Sequence, residues 1–281
     1  MNRSYSKWAL RGYVSLIYLF LLAPVVVILL SSLTETEYVT FPPKGITLRW
    51  YAELFNHPEF IQSFGLSFTV AAGAALIATA LGTLASLALV RYDFRGKAAL
   101  TQFFGSPMLI PSVVFGIALL QYFSWIGLAA SPLALVLGHI ILTVPYVIRL
   151  VMASLVGFNR SIEQAAMNLG ASPLQVFFHI TLPVIKSGII AGAVFAFITS
   201  FDDLTVALFI VSTDVVTLPV RIFTYIQYQY DPIITSVSSI MIFITILLMI
   251  VIEKVFGVGR LYAMKNTEEE RHGDSASSGT R

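Results

Sequence analysis

Apolar residues along the chain fall into six long runs, at about residues 12–33, 62–90, 99–125, 133–155, 187–212 and 233–256. Each is near or above the ~20 residues that an α-helix needs to cross a hydrocarbon core. The pattern predicts an all-α polytopic membrane protein with six transmembrane helices. Arg3, Lys7 and Arg11 before the first run resemble the start of a secretory signal. The run is longer than the ~7–15 apolar residues of such a signal, and SSLTETEY after it offers no cleavage site. It reads as a retained first span, kinked at Pro24. The second run is rich in Ala and Gly, small residues that let helices approach closely in lipid. The third carries Pro107 and Pro111 and reads as a kinked helix.

Two polar stretches stand out between the runs. Residues 34–61 hold Pro42-Pro43 and Gly45, with Trp50, Tyr51, Phe55 and Phe60 suited to a membrane interface. Residues 156–186 form a long amphipathic loop that contains EQAAMNLGASPLQVFFHITLP. A short helix is expected to end near Gly170, because glycine accepts the left-handed turn that closes helices. Pro173 suits the first turn of a second short helix, and Pro183 marks the way into the next span. The result is a helix-turn-helix knob outside the bilayer, a docking surface. The tail at 265–281 is polar and reads as disordered.

Composition sharpens the class. The chain of 281 residues is 57% hydrophobic and only 11% charged, against about 25% charged in soluble domains. It has no cysteine, which excludes disulfides, thiolate metal sites and a cysteine nucleophile. Of the 17 Lys and Arg residues, only Lys44, Arg49 and Arg221 fall in segments on the outer side of the membrane if both termini are cytoplasmic. That positive-inside bias predicts cytoplasmic termini and puts the 156–186 loop in the cytoplasm.

Chemistry inside the membrane is concentrated at Asp202 and Asp203 in the fifth run. Asp202 lies about 22 Å beyond Ser187 along a helix, past the midplane on the outer side. Carboxylates in a span are expensive and by default mark a pathway. Adjacent residues point about 100° apart, so one aspartate faces a pathway while the other caps a restarted helix or pairs internally. A purely structural cap or buried pair is the other reading. Trp50 and Tyr225 lie in outer segments, where they line an entry or simply belong to an interfacial belt. His139 in the fourth run suits a hydrogen bond between helices. The histidines have no metal-ligand spacing, and no G-x-x-x-x-G-K-[ST] or G-x-S-x-G occurs. No catalytic or metal site is expected, and an intramembrane enzyme is disfavoured.

The spacing Gln164-Ala165-Ala166, Gly170, then Ile180-Thr181-Leu182-Pro183 resembles the "EAA" loop of permease subunits of binding-protein-dependent ATP-binding-cassette importers. Gln164 stands where that motif has Glu, and Glu163 lies one place earlier. The stretch SFDDLTVALFIVSTDVVTLPVRIFTYIQ, with LRWY and RYDFRGK, is similar to the second permease subunit of spermidine/putrescine importers. The resemblance implies a type I importer permease fold in a bacterial inner membrane. It implies two cytoplasmic ATP-binding subunits that hold ATP and Mg, a second permease subunit and an extracytoplasmic binding protein. It assigns coupling to Glu163, Gln164, Ala165, Ala166, Gly170, Leu182 and Pro183, and a cation pathway to Asp202, Asp203, Trp50 and Tyr225. The rival is a proton-coupled secondary transporter using Asp202 or Asp203, against which no inverted internal repeat is visible.

Overall fold

The computed structural model describes residues 3–156, 158–212 and 214–256; the tail at 265–281 lies outside them. Among the described residues all regular structure is helical: α1 (Arg3–Ser31), α2 (Arg49–Glu53), α3 (Pro58–Arg91), α4 (Lys97–Gly105), α5 (Ser112–Trp125) and α6 (Pro132–Leu155) come first. They are followed by α7 (Ser161–Asn168), α8 (Pro173–Val176), α9 (Leu182–Phe201), α10 (Thr205–Ile210), α11 (Leu218–Ile226) and α12 (Ile233–Phe256). Five segments are long and apolar enough to cross a membrane: Leu10–Ser31, Pro58–Arg91, Pro132–Leu155, Pro173–Phe201 and Ile233–Ile250. The chain is a multi-pass membrane protein; among the described residues five helices have the length and composition of spans, or six if the bent pair described next is one span.

That pair replaces the kinked third helix expected over 99–125. Lys97–Met108 and Ser112–Trp125 meet at 102°. Pro107 and Pro111 each remove a backbone donor, and Pro111 adopts extended backbone at φ −53°, ψ 130° as the N-cap of α5. Two prolines four residues apart turn a kink into a break. The fifth run also differs from a single helix over 187–212. Its helix starts earlier, running from Pro173 through a π-turn at Phe177–Thr181 into α9, and stops at Phe201. Pro183 lies in the first turn of α9, where the wider π-turn accommodates its missing N–H. The expected second short helix of the knob is thus continuous with a span.

The chain forms two compact units. One comprises Met1–Phe64 and Val220–Ile246. Within it, Glu35 N–H donates to the Lys44 carbonyl at 3.0 Å and Thr47 N–H to the Leu33 carbonyl at 2.8 Å, closing the 34–47 loop. The hydroxyls of Thr34, Thr36 and Thr40 bond to one another inside that loop. The Tyr51 hydroxyl bonds Ser239 Oγ at 2.9 Å, holding α2 to α12.

The other unit comprises Gly65–Pro219 and the chain from Leu247. Its core is a close-packed set of α3, α6 and α9, including Ala75, Ala78, Val147, Val151, Ile185 and Ala196. Val147 lies between two glycines: a Cβ on Gly82 would come within 2.7 Å of Val147 Cβ, and one on Gly192 within 3.2 Å of Val147 Cα. Lipid supplies no hydrophobic force between helices, so such close approach of backbones does the holding.

Candidate functional site

The loop between α6 and α9 is built from local signals. Leu169 caps the C-terminus of α7, its N–H reaching the Ala165 and Ala166 carbonyls, and Gly170 then takes φ +91°. Ser172 starts the next helix with a capping box. Its Oγ accepts the Gln175 N–H at 3.3 Å, while Gln175 Oε1 accepts the Ser172 N–H at 2.8 Å. Pro173 takes the first helical turn.

This loop has two faces. Gln164, Ala165, Gly170 and Pro183 are exposed, while Ala166 and Leu182 are half-buried. Leu169 is 89% exposed, Leu174 70% and Phe178 56%, large apolar side chains with no cover. Beside them Leu169, Gly170, Ala171, Gln175, Val176, His179 and Ile180 line a shallow recess of about 380 Å³. The inner face is different. Glu163 is buried, with its carboxylate bonded to the Arg91 guanidinium and the Thr181 hydroxyl. Arg91 also donates to Thr181 Oγ1 at 2.8 Å, and Arg160 Nη1 donates to the Arg91 carbonyl at 3.0 Å. Nearby, Lys97 bonds the Asp93 carboxylate at 2.9 Å and holds it below the usual carboxylate range.

The two aspartates part company at the end of α9. Asp202 closes the helix, its N–H on the Ile198 carbonyl at 3.0 Å, and its side chain is exposed. Asp203 turns back onto α10: Oδ2 accepts the Ala207 N–H at 2.8 Å and Oδ1 that of Val206 at 3.5 Å. His139 of α6 stands behind it, 1% exposed, with Nδ1 2.6 Å from Ser200 Oγ and Nε2 3.7 Å from Asp203 Oδ2. The structure thus brings Asp203 together with His139 and Ser200. Trp50 and Tyr225 lie in the other unit. Trp50 is 6% exposed and donates its indole N–H to the Thr34 carbonyl at 2.8 Å, with the Arg49 guanidinium over its ring. Tyr225 donates to Asp231 Oδ2 at 2.8 Å; burial, then that carboxylate, push its phenol up, so it stays a donor. No cluster of metal-ligating side chains occurs among the described residues.

Residues 78–257, which include the loop and the aspartates, match the family described as "Binding-protein-dependent transport system inner membrane component". The chain belongs to that family.

This inner membrane component is 36% identical over 230 residues to the putrescine transport system permease protein PotI of Escherichia coli K12, covering 79% of the chain and 82% of PotI. It is 31% identical over 246 residues to the spermidine/putrescine transport system permease protein PotC of Haemophilus influenzae, covering 87% of the chain and 95% of PotC. Both relatives are transport permeases rather than enzymes. Its fold is similar to a chain of a bacterial transporter that imports the acidic polysaccharide alginate, with TM-score 0.68 and 16% identity, covering 92% of this chain and 99% of that one. The type I importer fold expected for the component agrees with that likeness.

Sequence reasoning missed Arg91, Thr181 and Ser200 as site residues. Arg91 read only as an inside charge, and Thr181 only as one residue of the Ile180-Thr181-Leu182-Pro183 stretch, with no role of its own. The one signal available for them was Glu163, an acid beside the motif with no other assigned partner.

Proposed function

We propose that this component is the permease subunit of an ATP-driven importer in the bacterial cytoplasmic membrane, carrying a small cation, a polyamine such as putrescine or spermidine. It works with two cytoplasmic ATP-binding subunits, a second, paralogous permease and an extracytoplasmic binding protein. ATP and Mg are held by the ATP-binding subunits, and the chain needs no cofactor of its own.

The observation that carries this reading is the outer face of the 161–183 segment. Leu169, Leu174 and Phe178 are exposed beside a recess at Gly170, on a loop whose inner face is locked to the membrane helices. Apolar side chains so displayed on a polar loop suit a protein partner. The bias of Lys and Arg residues supports a cytoplasmic position for that loop, where an ATPase works.

The cation rests on Asp202. It is an exposed carboxylate at the end of a largely apolar helix, while the Asp203 carboxylate is occupied by backbone donors. A carboxylate in that setting attracts an ammonium group, and the named substrates of PotI and PotC are of that chemistry. Tyr225 belongs to the outer segments that receive the solute. Trp50, with its N–H spent on Thr34, supports the same segments.

The test is purification from native membranes, followed by reconstitution in vesicles and assay of putrescine uptake. An ATPase and a second permease should accompany the chain, and uptake should require ATP and survive an uncoupler. A lone chain whose uptake is abolished by uncoupler would overturn the reading in favour of proton coupling at Asp202 or Asp203.

A further inference from the structure

We propose that Arg91, Glu163 and Thr181 form a rigid joint that transmits motion of the coupling loop to α3 and α9 together. The inference rests on the reading that this loop docks an ATPase.

Three elements meet at one carboxylate. Arg91 is the last residue of α3, Glu163 lies in the first turn of α7, and Thr181 ends the π-turn that leads into α9. The Glu163 and Arg91 side chains are 7% and 20% exposed, and Thr181 is fully buried. Removing either charge would leave the other without its counter-ion in a buried place, so the pair is broken only at large cost. Arg160 adds a second tie from the start of the loop to the terminal carbonyl of α3. α7 therefore does not hinge freely at its base.

The register of α7 divides the labour. Glu163 and Gln164 are adjacent and so point about 100° apart. Glu163 turns inward to the joint, and Gln164 turns outward. A force applied to the outer face of α7 passes through the Glu163 carboxylate to both helices. α9 then runs unbroken for 20 residues from this joint to Asp202, about 30 Å of stiff rod. The π-turn at Phe177–Thr181 brings Thr181 inward at the base of that rod. Widened turns of this kind occur frequently at functional sites in helices. Arg91 and Thr181 are positioning residues in this scheme: they touch neither solute nor nucleotide.

The experiment uses the whole reconstituted importer and reads putrescine moved per ATP hydrolysed, normalised to assembled complex. A merely structural role would lower the amount of complex without changing that ratio. Arg91→Ala and Glu163→Ala should each lower the ratio about tenfold, in the range of ordinary coupling between sites. The exchange Arg91→Glu with Glu163→Arg should restore most of it. Single variants that transport at the wild-type ratio would overturn the joint. The chain has no cysteine, so in an importer whose other subunits have been made cysteine-free Arg91→Cys with Glu163→Cys can be bridged selectively by a bismaleimide. A bridged importer that still couples supports a rigid joint even where the alanine variants fail to assemble. A bridged importer that stalls, while the unbridged pair works, shows that the two residues must separate and overturns it. If the wild-type preparation shows no ATP-dependent uptake, the docking reading falls and takes the joint with it. If wild type couples and the variants couple equally well, the joint alone falls.

Discussion

His139 Nδ1 lies 2.6 Å from Ser200 Oγ, joining α6 to the last turn of α9 two residues before the helix stops. Its Nε2 lies 3.7 Å from Asp203 Oδ2, too far for a hydrogen bond, and is buried without a hydrogen-bond partner among the described residues. The break after α9 is therefore backed by a buried polar contact. His139→Ala should lower stability by about 1–2 kcal/mol, because it leaves Ser200 without its partner and opens a void. Thermal unfolding of the complex in detergent checks this, and an unchanged midpoint would show that the contact holds nothing.

Asp202 and Asp203 should respond differently to substitution. Asp203→Ala removes the acceptor for the Val206 and Ala207 N–H groups at the start of α10 and should cost about 1 kcal/mol, as the loss of a side-chain acceptor at a helix start does. Asp202→Asn removes an exposed charge bonded to neither group and should leave the unfolding midpoint in place while cutting polyamine uptake. Equal uptake in wild type and Asp202→Asn would remove Asp202 from the pathway.

Close packing at Gly82 gives a third expectation. An added methyl would meet Val147 Cβ at 2.7 Å, so Gly82→Ala should destabilise by about 1–3 kcal/mol through overpacking. Val147→Ala in the same chain should recover part of that loss, since it vacates the contested space. A double-mutant cycle on purified complex measures the coupling, and strict additivity would mean that the helices simply move apart.

What was legible in the sequence was what neighbouring residues decide. The turn at Gly170, the cap at Ser172 and Pro173, and the long apolar runs each follow from a few adjacent positions. The break after Phe201 was only half legible: adjacent aspartates imply divergence, but that Asp203 is the one that turns to the backbone of α10 and lies beside His139, 64 positions upstream, is set by tertiary packing. The joint was hidden for the same reason, since Arg91 and Glu163 are 72 positions apart. The 102° bend depended on two prolines acting together, where each alone suggests only a kink. In the other unit, Trp50 read as an interfacial aromatic because burial against Thr34 leaves no trace in local sequence.

Gly170 isolates the role of loop geometry from that of loop contacts. Its φ of +91° is unfavourable for any other residue, yet an added Cβ would meet nothing within 4 Å. Gly170→Ala should therefore carry a purely conformational penalty of about 1–2 kcal/mol, weakening the fixed angle between α7 and α8 without a clash. The ATPase should still co-purify, with less solute moved per ATP. Wild-type transport efficiency in Gly170→Ala would show that the angle is set elsewhere.

The exposed leucines test the docking face directly. Leu169 and Leu174 are 89% and 70% exposed, so Leu169→Asp with Leu174→Asp should change the stability of the isolated chain by less than about 0.5 kcal/mol, as surface substitutions do. In the importer the same pair would place two carboxylates against a partner's apolar contact, where unpaired charge is strongly unfavourable. The ATPase should then be lost from the purified complex while the chain itself remains folded in the membrane. Retention of the ATPase by the double variant would move the docking surface away from Gly170 and onto the exposed side of α7 at Gln164 and Ala165.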